Sequence, residues 1–175
     1  IDFIRSKALL ATKINGIKPI FNNRPMVQWR EAVHPLLFIT FKADGKKVVP
    51  LNITLNNENQ RILLISGPNA GGKSVCLQTV GLLQYMFQCG LLVPMHENSE
   101  IGLFENLFIN IGDDQSIEND LSTYSSHLLN MKNFIRNANN KTLVLIDEFG
   151  SGTEPMLGGA IAEAILDQLN QNLVF

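Results

Sequence analysis

Apolar positions along this chain fall either into short unbroken runs or into helical stripes, and the two patterns predict different elements. Residues 62–65 (I-L-L-I) and 142–146 (T-L-V-L-I) are unbroken, as expected of parallel strands covered on both faces. A third short strand is predicted over 107–111. Helical spacing predicts a helix over residues 1–16, ending at Asn15-Gly16, and another from Ser74 to about Gly90. Leu128, Met131, Phe134 and Ile135 mark one face of a helix over 122–137, which Ser122 or Thr123 can cap, and a last helix is predicted over 156–171. Runs at 37–41 and 48–55 read as two antiparallel strands joined by the turn K-A-D-G-K-K. Pro19, Pro25 and Pro35 interrupt the stretch 17–36, which is predicted to be irregular, with Trp29 as a core anchor. Leu173-Val174-Phe175 reads as the start of a further strand.

The chemistry sits after the first run. Gly67-Pro68-Asn69-Ala70-Gly71-Gly72-Lys73-Ser74 matches G-x-x-x-x-G-K-[ST] at every fixed position, between a predicted strand and a predicted helix. Glycines let several backbone N–H groups converge on phosphate oxygens, and a helix N-terminus adds its dipole. Lys73 can reach the β- and γ-phosphates, the Ser74 hydroxyl can ligate Mg²⁺, and Val75 continues the cradle. The second run ends in Asp147-Glu148, a strand that delivers two carboxylates to the edge of the sheet beside that loop. Asp147 is the candidate for holding Mg²⁺, and Glu148 for polarising the attacking water, with Lys73 stabilising the charge of the transferred phosphoryl group. The fold class this predicts is α/β, a three-layer P-loop NTPase of the ABC-ATPase type, with a mostly parallel sheet and an antiparallel β layer leading into it.

With 175 residues there is chain enough for one sizeable core. A net charge of −2 supplies no basic field for gripping nucleic acid across the whole surface. Cys76 and Cys89 lie at either end of one predicted helix, a spacing that favours buried free thiols in a reducing, cytoplasmic setting over a disulfide or a metal site. His96-Glu97-Asn98-Ser99-Glu100 has Glu100 where a zinc motif needs histidine, and is read as a solvated loop. The acidic stretch with Asp113, Asp114, Glu118 and Asp120 is likewise read as solvated surface. The most apolar stretch, 80–95, is broken by Gln84, Gln88 and Pro94, so no membrane span is expected.

Three segments together resemble the ATPase domain of the MutS superfamily: G-P-N-A-G-G-K-S at 67–74, I-G-D-D-Q-S-I-E-N-D-L-S-T-Y-S-S-H at 111–127, and L-I-D-E-F-G-S-G-T-E-P at 145–155. The serine-rich S-T-Y-S-S-H and the G-T-E-P ending resemble its type II branch, and R-E-A-V-H-P at 30–35 is similar to the start of that domain. The likeness runs from about Arg30 to Leu166, so residues 30–175 are assigned to the ATPase domain and 1–29 to the end of the helical lever region and a linker. The resemblance implies ATP as cofactor with Mg²⁺, and a homodimer in which Ser122 and Thr123 reach the γ-phosphate bound by the partner. It also implies coupling in the full-length protein to branched or mismatched DNA, in recombination or repair, or to stalled ribosomes, through clamp regions and an Smr domain not found in these residues. The isolated segment is then expected to bind nucleotide as a largely monomeric, weakly hydrolysing species. A different ABC-class ATPase, one not acting on nucleic acid, is the rival reading. A transporter subunit would carry L-S-G-G-Q where this chain has L-S-T-Y-S-S-H. A small-molecule kinase would need an arginine-rich lid, and a catalytically silent nucleotide module would not need Lys73, Ser74, Asp147 and Glu148 together.

Overall fold

The computed structural model describes residues 1–68, 71–111, 120–147 and 154–175, without the side chains of 120–124. Helix α1 (Asp2–Ile14) turns at Asn15, whose φ of 54° is left-handed, and buries Ala11 and Ile14. Three strands follow in the sequence before the glycine-rich loop: β1 (Ile20–Asn22), β2 (Val27–Ala32) and β3 (Leu51–Leu55). Helix α2 (Pro35–Ala43) lies between β2 and β3. After the loop come α3 (Lys73–Gln88), β4 (Glu100–Gly102), β5 (Asn106–Asn110), α4 (Asp120–Asn137), β6 (Thr142–Ile146) and α5 (Pro155–Gln171).

These strands form two separate sheets. One has four strands in the order β1-β4-β2-β3, with β1 parallel to β4 and the other pairings antiparallel. The other is the parallel pair β5-β6, in register from Asn106 opposite Thr142 to Asn110 opposite Ile146. Alternation along β6 splits the core between two faces. Leu143 and Leu145 join Val80, Leu83 and Trp29 in one cluster, while Val144 and Ile146 pack against Met131, Phe134, Ile165 and Leu169 in the other. Those of them that are fully buried, such as Leu143, Val80 and Leu83, contribute about 1.5–3 kcal/mol each. Phe134 stacks on Phe108 at 5.1 Å between ring centres, worth about 0.5–1.5 kcal/mol more.

The predicted three-layer P-loop architecture of the ABC-ATPase type, with its mostly parallel sheet, is not what forms. Among the described residues few strands are present, the larger sheet is mixed, and the run 62–65 belongs to neither sheet. Leu63, Leu64 and Ile65 are 41%, 72% and 40% exposed. The reason lies at the edges of β6. One edge pairs with β5; on the other, the Phe175 N–H donates to the Thr142 carbonyl at 3.0 Å and the Val144 N–H to the Phe175 carbonyl at 2.8 Å. Phe175 thus holds the second edge at Thr142 and Val144, and residues 62–65 line an apolar cavity of about 140 Å³ together with β6, Val174, Phe175 and α3. Residues 173–175, expected to start a further strand, do not form one, although Phe175 makes these two bonds to β6.

Other predictions also need correction. Residues 37–41 are helical, not a strand: His34 caps α2 by accepting the Leu37 N–H on Nδ1 at 3.3 Å, and Pro35 opens the helix with its φ already set. The stretch 17–36 holds β1 and β2 rather than irregular chain. Trp29 is 1% exposed, the core anchor expected of it. The supposed solvated loop at 96–100 buries Ser99, whose hydroxyl receives the Arg30 N–H at 3.0 Å, and places Glu100 in β4. Helix α4 is described from Asp120 onward, so the backbone of Ser122 and Thr123 is already helical. Cys89 is exposed, and only Cys76 is partly buried. The residues Asp113, Asp114 and Glu118 lie outside those described.

Candidate functional site

Residue spacing along α3 decides where its ends lie. At its C-terminal half, the Gln84 Nε2 donates to the Gly102 carbonyl at 2.8 Å and the Gln88 Oε1 accepts the Phe104 N–H at 2.9 Å, both just ahead of β5. Farther toward its N-terminus, Gly81 abuts Ile109 and Leu145, near the ends of β5 and β6. The helix therefore runs antiparallel to both strands, and Lys73 and Ser74 stand beyond their C-terminal ends. Asp147 is there too, directly after β6, 8% exposed, with its N–H donating to the Asn110 carbonyl at 2.9 Å. Helix α4 runs the same way, because His127 meets Asn110 at the end of β5 while Phe134 meets Phe108 further back. Three predicted site elements, from distant parts of the sequence, thus converge at one end of the parallel pair, where open α/β sheets place ligands.

Gly72 has φ 82° and Gly67 φ 149°, and a Cβ built on either would meet nothing within 4 Å, so the backbone there faces open space. The Gly71 N–H donates to the Pro68 carbonyl at 2.9 Å, closing the turn. Gly72 is the N-cap of α3 and brings no side chain to cap the helix. The Lys73 ammonium folds back to the Gly67 carbonyl at 2.7 Å, which holds a positive charge across the loop. Ser74 and Val75 are exposed in the first turn of α3. Asn69, Ala70 and Glu148 lie outside the described residues, as do the side chains of Ser122 and Thr123.

This donor set suits a phosphate chain with a hard cation. A helix N-terminus, backbone amides and a lysine serve anionic oxygens. A hydroxyl and a carboxylate, Ser74 and Asp147, are what Mg²⁺ uses when phosphates and water complete its shell. Among the described residues no group of three His, Cys, Asp or Glu side chains forms a closed metal cage. The apolar cavity beside 62–65 has no such chemistry and is a packing feature. Sequence reasoning missed Asn110, His127 and Asn130, which join at this end: Asn110 Nδ2 lies 2.8 Å from His127 Nδ1, and Asn130 Nδ2 donates to Asn110 Oδ1 at 3.2 Å. The available signal was the one-turn spacing of His127 and Asn130 on a predicted helix.

Residues 63–174 match the MutS domain V family. The chain belongs to the MutS family, on its type II (MutS2) branch. It is 46% identical over 169 residues to "Endonuclease MutS2" of Carboxydothermus hydrogenoformans, covering 97% of this chain and 21% of that protein. Proteins of the same name from Agathobacter rectalis and Bacillus cytotoxicus are each 46% identical, over 171 and 170 residues, covering 98% and 97% of this chain and 21% of each relative. The chain thus spans about a fifth of the length of the curated relatives it matches. Among the described residues, no helix is long and apolar enough to cross a membrane.

Proposed function

We propose that this segment binds ATP and ADP with Mg²⁺ and that the full-length protein hydrolyses ATP as a cytoplasmic homodimer, coupling the cycle to branched or mismatched DNA or to stalled ribosomes. The observation that carries the reading is the placement of Lys73, Ser74 and Asp147 at the same end of the β5-β6 pair. Gly67, Pro68, Asn69, Ala70, Gly71, Gly72 and Val75 form the cradle, and Lys73 faces the phosphates. Ser74 and Asp147 hold Mg²⁺, whose charge offsets that of the phosphates. Glu148 orients and deprotonates water, while Ser122 and Thr123 serve the partner's nucleotide. The relatives' name supports DNA as the target class. Their endonuclease activity belongs to proteins about five times this length and is not assigned to this segment. The full-length protein with ATP and Mg²⁺ should release phosphate. Its Glu148→Gln variant should retain ATP, stop releasing phosphate and accumulate a dimer in sedimentation. A wild-type protein that releases none, or a variant that turns over normally, overturns the mechanism.

A further inference from the structure

Asn110 ends β5 at the last rung of the parallel ladder, where its carbonyl accepts the Asp147 N–H at 2.9 Å. Its side chain makes two bonds to one face of α4. Since Oδ1 accepts from Asn130 at 3.2 Å, the amide NH₂ must point at His127, 2.8 Å away. An NH₂ only donates, so this bond forms when His127 Nδ1 is the unprotonated ring nitrogen and accepts. Two directional bonds one helical turn apart fix both the rotation of α4 and its slide along β5. The apolar contacts behind them, Phe134 on Phe108 and Met131 in the same cluster, are non-directional and tolerate sliding. Ser122 and Thr123 stand only about 7.5 and 6 Å before His127 along the axis.

We propose that Asn110, His127 and Asn130 are positioning residues: a hydrogen-bonded link that sets Asp147 and the serine-bearing turn of α4 at a fixed offset. Through it the chain's own metal-binding strand end and the helix serving the partner's nucleotide move as one unit. A purely structural cluster would only satisfy the Asn110 amide, and any residue of similar volume at 127 would leave Asp147 unaffected. This link rests on the nucleotide reading above, yet one of its consequences can be measured without nucleotide.

In the nucleotide-free full-length protein, His127→Ala and Asn110→Ala should speed hydrogen exchange of the Asp147 amide by about tenfold while leaving residues 142–145 unchanged. At saturating ATP the same variants should lose about tenfold in single-turnover hydrolysis, with nucleotide affinity held within about twofold. His127→Asn should restore both, because its Oδ1 stands off Cγ where Nδ1 does, whereas His127→Gln should not. Unchanged exchange at Asp147, equal rescue by Asn and Gln, or affinity falling in step with hydrolysis would each overturn the link. A wild-type protein that binds no ATP removes the nucleotide reading instead, and the exchange measurement then judges the link by itself.

Discussion

Gly81 lies so close to Leu145 that a Cβ added to the glycine would stand 3.0 Å from Leu145 Cδ1, and 3.3 Å from Ile109 Cδ1. This approach seats α3 on the parallel pair and aims its N-terminus past the strand ends. Gly81→Ala adds a crowded methyl but gains about 1 kcal/mol of helix propensity, so its net effect should be small. Gly81→Val adds a branched side chain to a packed interface and should cost about 1–3 kcal/mol. Denaturant unfolding of the two variants checks this. Equal stability of the Gly81→Val and wild-type proteins would mean that the helix does not sit so close.

Helix α2 carries its own pH dependence. Burial holds the His34 imidazole below its ordinary value of 6.5, against a backbone hydrogen bond that raises it. The neutral ring is also the form that accepts the Leu37 N–H. With the folded value depressed, the unfolded chain binds more protons below pH 6.5, so stability falls with pH from there until the folded value is passed. His34→Asn keeps a good cap without titrating and should flatten this part of the profile. Melting temperatures on either side of pH 6.5, for both proteins, provide the check. An identical slope in His34→Asn would assign the effect elsewhere.

The thiols should separate by reactivity. Cys89 is exposed at the end of α3, while Cys76 is partly buried and burial pushes its thiol up. Near neutral pH a maleimide should modify Cys89 first and Cys76 much more slowly. Single-serine variants identify each phase. Equal rates would contradict the packing of Cys76 against the apolar cavity.

The amphipathic helices α3, α4 and α5, and the strands β5 and β6, were legible because each keeps its period to within a residue or two of the predicted ends. Failures occurred where tertiary context overrides pattern. In β2 the buried residues are Val27, Trp29 and Ala32, since the register shifts between Trp29 and Ala32, with Glu31 at φ 49°; that break hides the strand from a period-two reading. Pro35 signalled a helix start rather than a break once His34 is seen as its cap. Residues 62–65 have the composition of a buried strand yet join neither sheet, while Phe175 bonds β6 at Thr142 and Val144, and no local pattern reveals either. Motifs alone nominated Lys73, Ser74 and Asp147 as candidates, and the structure sets all three at one end of the β5-β6 pair. The Asn110–His127 contact was not legible, because it pairs a strand end with the face of a different element, which no single period encodes.

The central claim is that residues 67–74 hold the phosphates, and Lys73 is the charge on which it turns most directly. Isothermal titration of ATP with Mg²⁺ into wild-type and Lys73→Ala proteins, each shown to be folded by denaturant unfolding, measures it. Loss of a charge-assisted contact of about 1.5–3 kcal/mol should weaken binding roughly ten- to a hundredfold. A folded Lys73→Ala protein that binds ATP as tightly as the wild type would contradict the account.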